Sequence, residues 1–392
     1  MFLSFESGFN GKMVVNHLLK WIDTARVSER SAAAEALARA YIGLELDFED
    51  RCAAEAALTF LLDDPSAKVR LALAEVLSLS RKAPPQIVSA LADDQPEIAT
   101  LVLTRSPLFS DHELIDRVAS GDDNVQRAIA ERALVAMPVA AAIAEVGCCM
   151  ACLALLKNDG ADIASLSFRR IADRYGHSAR IREAMLSDRR LPADSRHLLV
   201  VRLGEALQGD PLVRALMGRA RAERVTRDAC LRASLTLIEK TRIAEHGALV
   251  EHLRLAGHLT PSFLVRVVAC GKIDFFGSVL EALTGQDKGR VQALLVSGRD
   301  GALTALLRKA GISGAIHGVL IAALKVWRDV ANGKRIAGTQ EVSWLMLKEI
   351  GAAPGQSGPA AHHVELAALI RSIHLDALRA NARGHALAIT AA

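Results

Sequence analysis

Apolar residues recur along most of the chain at the three- and four-residue spacing that lines one face of an α-helix, in short runs broken by polar turns. No segment sustains the strict alternation of a half-buried strand. The breaks share a pattern. Asp63-Asp64-Pro65, Asp93-Asp94 and Asp122-Asp123 each close one apolar run and open the next. The residues that follow align as Val69-Arg70-Leu71-Ala72, Ile98-Ala99-Thr100-Leu101 and Val125-Gln126-Arg127-Ala128, an irregular period of about 30. Asp ahead of a helix accepts hydrogen bonds from the free first-turn N–H groups and complements the helix dipole. The acid pairs therefore read as helix caps. Catalytic carboxylates or metal ligands would have no reason to recur at one structural position.

Two helices per period, with Val or Ile followed three residues later by a small residue, let neighbouring helices approach closely. The expected fold is all-α: an α-solenoid of helical hairpins. The Asp-Pro, Val-Arg and Ala pattern resembles the second helix of HEAT repeats. Four segments are expected. A HEAT-like repeat domain spans 13–224, and a second, less regular helical region over 225–350 continues the stack. A Gly/Pro/Ser linker occupies 351–361, and a terminal helix and tail fill 362–392. The terminal helix carries a stripe of Val364, Ala367, Ile370, Ile373 and Ala377, costly to leave in water, and is expected to dock on its own array. Met13 opens a better amphipathic helix than the residues before it, so residues 1–12 read as an upstream extension.

Composition refines this reading. Aromatics are only 4% of the chain, and much of its apolar content is Ala and Leu, which favours close-packed helices over sheets. The net charge of +4 is small, but residues 29–132 carry 19 acids against 11 bases, while residues 169–232 carry 15 Arg against 8 acids. Polarisation of this kind bears on partners. Six cysteines without framework spacing fit a reducing compartment, and no basic leader precedes an apolar run, so a cytoplasmic location is expected. The stretch 133–156 has a single charge, Glu145, but Pro138 and Gly147 divide it, and two short buried helices are expected rather than a membrane span.

Segments 149–177 (CMACLALLKNDGADIASLSFRRIADRYGH), 257–285 (GHLTPSFLVRVVACGKIDFFGSVLEALTG) and 290–312 resemble a bacterial family known as domain of unknown function 2336, over a span from about Met13 to Val330. The resemblance implies helical, HEAT-like architecture and occurrence in alphaproteobacteria. It brings no catalytic residues with it.

Candidate chemistry is sparse. Cys148, Cys149 and Cys152 contain one C-x-x-C but lack the second pair that structural zinc requires, so packing is expected for them. His363 and His374 lie too far apart along one helix to chelate an ion and read as surface residues, as does His362. Nucleotide-loop, zinc-protease and hydrolase-elbow motifs are absent from the sequence. No catalysis, cofactor or metal is expected.

The Arg-rich stretch supplies the candidate binding surface: Arg169, Arg170, Arg174, Arg189, Arg190, Arg219, Arg221 and Arg224. Guanidinium forks match carboxylates and phosphates. The expected partner is a protein that is acidic where it meets this segment, with no membrane involved and a homodimer left open. The alternative is a nucleic-acid-binding HEAT-like protein, or a DNA-glycosylase-like enzyme using an Arg-rich concave face. Interspersed acids and the scarcity of stacking aromatics, with only Phe168 and Tyr175 nearby, weigh against it.

Overall fold

The computed structural model describes Trp21 and residues 24–352 and 361–391. The proposed extension 1–12 and the helix opening at Met13 lie outside the described residues, as does the core of the linker at 353–360. Among the described residues there are 22 α-helices and no strands, so the protein is all-α. The one extended pairing is an isolated bridge between Val135 and Ala161. No described helix is long and apolar enough to cross a membrane.

The chain forms two compact units, dividing after Leu191. The expected division after Arg224 falls inside one continuous helix, Arg219–Lys240.

The first unit holds α1 (Val27–Gly43), α2 (Phe48–Leu62), α3 (Ala67–Leu77), α4 (Pro85–Ala92), α5 (Pro96–Arg105), α6 (Asp111–Ser120), α7 (Asp123–Ala130), α8 (Met137–Val146), α9 (Cys149–Lys157), α10 (Ser165–Tyr175) and α11 (Ala179–Ser187). They stack in two rows. The odd-numbered helices pack one on the next from α1 to α11; in the other row α2 packs on α4, and α6, α8 and α10 follow in succession. The repeat positions Val69 and Ile98 are buried at these contacts, as are Ala72, Ala99 and Ala128. The Ala-rich stretch 133–156 forms the two short helices α8 and α9, as expected.

The acid pairs do more than cap. Asp122 is a true N-cap, accepting from the N–H groups of Asn124 and Val125 at 2.9 Å. Asp64 and Asp94 instead accept from the turn N–H of Ser66 (2.8 Å) and Gln95 (2.6 Å) and receive a bidentate Arg from a neighbouring helix. Arg30 grips Asp64 at 2.7 and 3.0 Å; Arg70 grips Asp94 at 2.6 and 2.9 Å and also donates to the Asp64 carbonyl. Burial alone would raise both carboxyl pKa values, but the Arg and backbone hydrogen bonds outweigh it and hold them below the ordinary range.

Another device recurs at helix C-termini, where the last carbonyls have no partner within their own helix. The Arg132 guanidinium donates to Leu103 O and Ser106 O at the end of α5. Arg174 donates to Ala144 O and Gly147 O at the end of α8, at 2.7 and 2.8 Å.

The second unit holds α12 (Ala193–Gly209), α13 (Pro211–Met217), α14 (Arg219–Lys240), α15 (His246–Leu255), α16 (Pro261–Ala269), α17 (Ile273–Thr284), α18 (Lys288–Ser297), α19 (Asp300–Lys309), α20 (His317–Ala331), α21 (Thr339–Ala352) and α22 (Ala361–Ala391). Its centre is α16, whose residues Phe263 to Ala269 are all buried. Apart from Arg266 these residues are apolar on every face, because α17, α20, α21 and α22 surround the helix. Thr260 caps it and Pro261 opens it. Trp327 of α20 donates its indole N–H to Val268 O at 2.8 Å, and its ring sits against Gly271, which has φ 73° and would place a Cβ only 3.0 Å from it. Arg328 caps the end of α18 through Leu294 O and Gly298 O (2.7 and 2.9 Å). On α12, Gly204 lets α14 approach until a Cβ would lie 2.5 Å from Cys230 Sγ. His197 of α12 is buried beside His252 and His258, its Nδ1 3.1 Å from His252 Nε2; burial, reinforced by those two rings, pushes its pKa down to about 3.

The terminal helix docks within its own unit, on α16 and α21. Its buried seam is Leu366, Ile370 and Ile373, whereas Val364 is 52% exposed, so the contact face is rotated from the expected stripe. His374, expected at the surface, is half-buried in this seam, its Nδ1 3.1 Å from Ser343 Oγ and 3.0 Å from Gln340 O. Gly351 and Ala352, assigned to the linker, belong to α21.

Three measurements follow from this packing. Arg132→Met leaves two carbonyls at the α5 terminus without donors and should cost about 1–3 kcal/mol in urea unfolding, whereas Arg127→Ala, which breaks an exposed pair with Glu131, should cost no more than about 0.5. Ile370→Ala should cost about 2–5 kcal/mol and Val364→Ala almost nothing; equal effects would contradict the docked seam. Acid unfolding should show two windows. With its folded pKa near 3, neutral His197 is protonated first in the unfolded chain, so stability falls as pH drops below 6.5; buried His246, also lowered by desolvation, adds to the same limb, and His197→Leu should shrink it. The depressed Asp64 and Asp94 contribute stability that persists above pH 3.8 and is lost as pH falls through their lower folded values, a loss that Asp→Asn variants should blunt.

Candidate functional site

An open groove of about 850 Å³ lies in the first unit between α9 and α11. Local sequence explains its shape. Cys148 caps α9, its Sγ accepting from Ala151 N at 3.3 Å, and Cys152 turns inward to be fully buried, its thiol pushed up to about 12 by burial. A thiol in that state is a small hydrophobe, not a nucleophile. The outward side of α9 then presents Leu153, Leu156 and Lys157 to the groove. On the facing helix, Ile181 and Met185 are buried in the core while Arg180, Glu183 and Ala184 line the opening.

Asp188 and Arg190 close one end. Asp188 ends α11, accepts from Arg190 N at 2.7 Å and takes the Arg190 guanidinium at 2.9 Å. Arg190 also donates to Ala161 O at 2.6 Å, and its hydrogen bond to Asp188 raises its pKa further. Arg190 is thus a clamp on the loop after α9. Lys157, Arg180 and Arg189 are exposed around the apolar floor and make no hydrogen bond or ion pair among the described residues. Asp159 and Glu183 stand among them, so the rim is mixed in sign with an excess of free cations.

The sequence-derived Arg set is divided by this geometry. Arg169, Arg170, Arg174, Arg189 and Arg190 belong to the first unit, and Arg219, Arg221 and Arg224 to the second. Within the first unit only Arg189 and Arg190 reach the groove. Arg170 pairs with Glu145 at 2.6 Å, Arg169 is half-buried, and Arg174 is the cap of α8, stacked on Tyr175 with its guanidinium carbon 4.7 Å from the ring centre. Arg219 pairs with Glu223 along α14, while Arg221 and Arg224 are exposed there. Leu153, Leu156, Lys157 and Arg180 were missed. The signal for Lys157 was its place at the end of an apolar run, and for Arg180 its place inside the Arg-rich stretch.

Neither the curated proteins nor the solved structures include a match to the chain. The profile of a family described as an uncharacterised protein conserved in bacteria (DUF2336) matches residues 98–347, a shorter span than the resemblance from Met13 suggested and one that includes the groove, the basic segment and α16. The chain therefore belongs to this bacterial family.

Proposed function

We propose that the protein is a non-enzymatic, cytoplasmic interaction protein that holds a segment of a partner protein in the groove between α9 and α11. One observation carries this reading: an apolar floor of Leu153, Leu156 and Ala184 is rimmed by the unpaired cations Lys157, Arg180 and Arg189. An apolar centre within a polar rim is the anatomy of a protein-binding patch. The floor gives an apolar partner side chain a surface to pack against, and the free cations supply orientation and partner choice. Partner acids near Arg180 and Arg189 would complete charges that the fold leaves open. The reducing-compartment pattern of the cysteines supports the location, and the want of a nucleotide or hydrolase fingerprint supports a binding role.

Selection of peptides from a random library on the full chain should enrich segments with acidic residues flanking an apolar core. The double variant Arg180→Glu, Arg189→Glu should weaken the selected peptides at least about tenfold, a loss of about 1.4 kcal/mol or more. Selected peptides whose affinity ignores the double variant would refute the groove as the site. Tight binding of a single-stranded oligonucleotide at physiological salt, lost in the same variant, would favour the nucleic-acid reading instead.

A further inference from the structure

A buried guanidinium without a counter-charge lies at the heart of the second unit. Arg266, on α16, is only 9% exposed. Its Nη2 donates to Ser372 Oγ of α22 at 3.1 Å, and its Nε has no hydrogen-bond partner. No ion pair joins it to a carboxylate among the described residues. The nearby acid, Asp376, is shared instead by Arg232 and Arg379, at 3.6 and 3.7 Å. A buried charge that lacks a partner is costly, and proteins rarely retain one without a use for it.

This guanidinium lines a cavity of about 290 Å³. Arg232 of α14 stands on another wall, and Gly338, Thr339 and Gln340 bring in the N-terminus of α21. First-turn N–H groups and the positive end of a helix dipole favour an anion, and here the start of α21 lines the same cavity as Arg266 and Arg232. We infer that this cavity binds a small phosphate-bearing molecule, its phosphate held between Arg266, Arg232 and the start of α21. Donors arriving from three elements suit a tetrahedral oxyanion with several acceptor oxygens better than a flat carboxylate, which two forks would saturate. The cavity is at the lower limit of small-molecule sites, which excludes a polymer and leaves room for a phosphate with a short organic substituent. Asp376 tempers the site: it occupies Arg232 when the cavity is empty and repels an incoming dianion, so affinity is set by competition for that guanidinium.

The test uses the full chain, with inorganic phosphate and glycerol 3-phosphate as probes in calorimetry and thermal unfolding, and with acetate and chloride at matched ionic strength as controls. Both phosphates should raise the unfolding temperature saturably, glycerol 3-phosphate more than inorganic phosphate, and the controls should not. Arg232→Gln should weaken phosphate binding about tenfold, and Asp376→Asn should strengthen it several-fold, opposite responses that a purely structural pair would not give. Arg266→Gln should abolish binding. If that variant fails to fold, the partly exposed Arg232 and Asp376 still decide the matter. A phosphate response no larger than that of chloride, or one unchanged in both the Arg232 and Asp376 variants, would overturn the proposal, and an equal response to acetate would overturn the phosphate class. The Arg180→Glu, Arg189→Glu variant should leave the phosphate response intact, which separates this site from the groove.

Discussion

A fold made of short helices has many helix ends, and satisfying them is the constraint on which the rest of this structure depends. Each terminus leaves several backbone groups without intrahelical partners, and stacking then buries many of those termini. Arg132, Arg174 and Arg328 answer this in one way, placing a planar fork across two carbonyls of a neighbouring helix end about 30 residues earlier in the chain. Asn158 does the same with its amide, donating to Ala130 O and Arg132 O at 2.8 and 2.7 Å. These side chains reach between successive helical pairs, so they fix the spacing of the stack as well as closing its hydrogen bonds. A cation at a helix C-terminus also meets the favourable end of the dipole.

The same economy shapes the acidic turns. Asp64 and Asp94 each hold a turn N–H and an Arg fork from the neighbouring pair, so one carboxylate ends one connection and aligns the next. The chain is rich in Arg where a Lys-bearing surface would have served for solubility alone, and the geometry gives a reason: the guanidinium holds its donors in a rigid planar fork that spans two carbonyls, whereas the three donors of an ammonium rotate on a flexible stem. Much of the positive charge that looks available for a partner is already committed within the fold. Lys157, Arg180 and Arg189, uncommitted and gathered at one groove, acquire their interest from that contrast.

In the second unit the organising element is α16, buried on every side, with the terminal helix α22 completing its enclosure. A nine-residue helix buried from Phe263 to Ala269 cannot stand without its neighbours, so residues more than a hundred positions apart are bound to fold together here. Arg266 is the exception on that helix, a charge among Val and Phe side chains, and its position beside a cavity turns an energetic anomaly into a functional candidate.

The helical class, the two short helices of the Ala-rich stretch and the family were legible in the sequence, because these follow from local periodicity, capping chemistry and residue type. The sequence placed the terminal helix against its own array but not its face, since Val364 and Leu366 are equally apolar and only the neighbouring helices choose between them. It marked the Arg-rich segment but could not sort it. Arg174 and Arg189 look alike in one dimension; one closes a helix end and the other stands free on a groove, and that distinction depends on which carbonyls the stack brings within reach. The boundary after Leu191, the groove and the cavity at Arg266 are likewise matters of tertiary structure, because each depends on how helices pack, which no local pattern encodes.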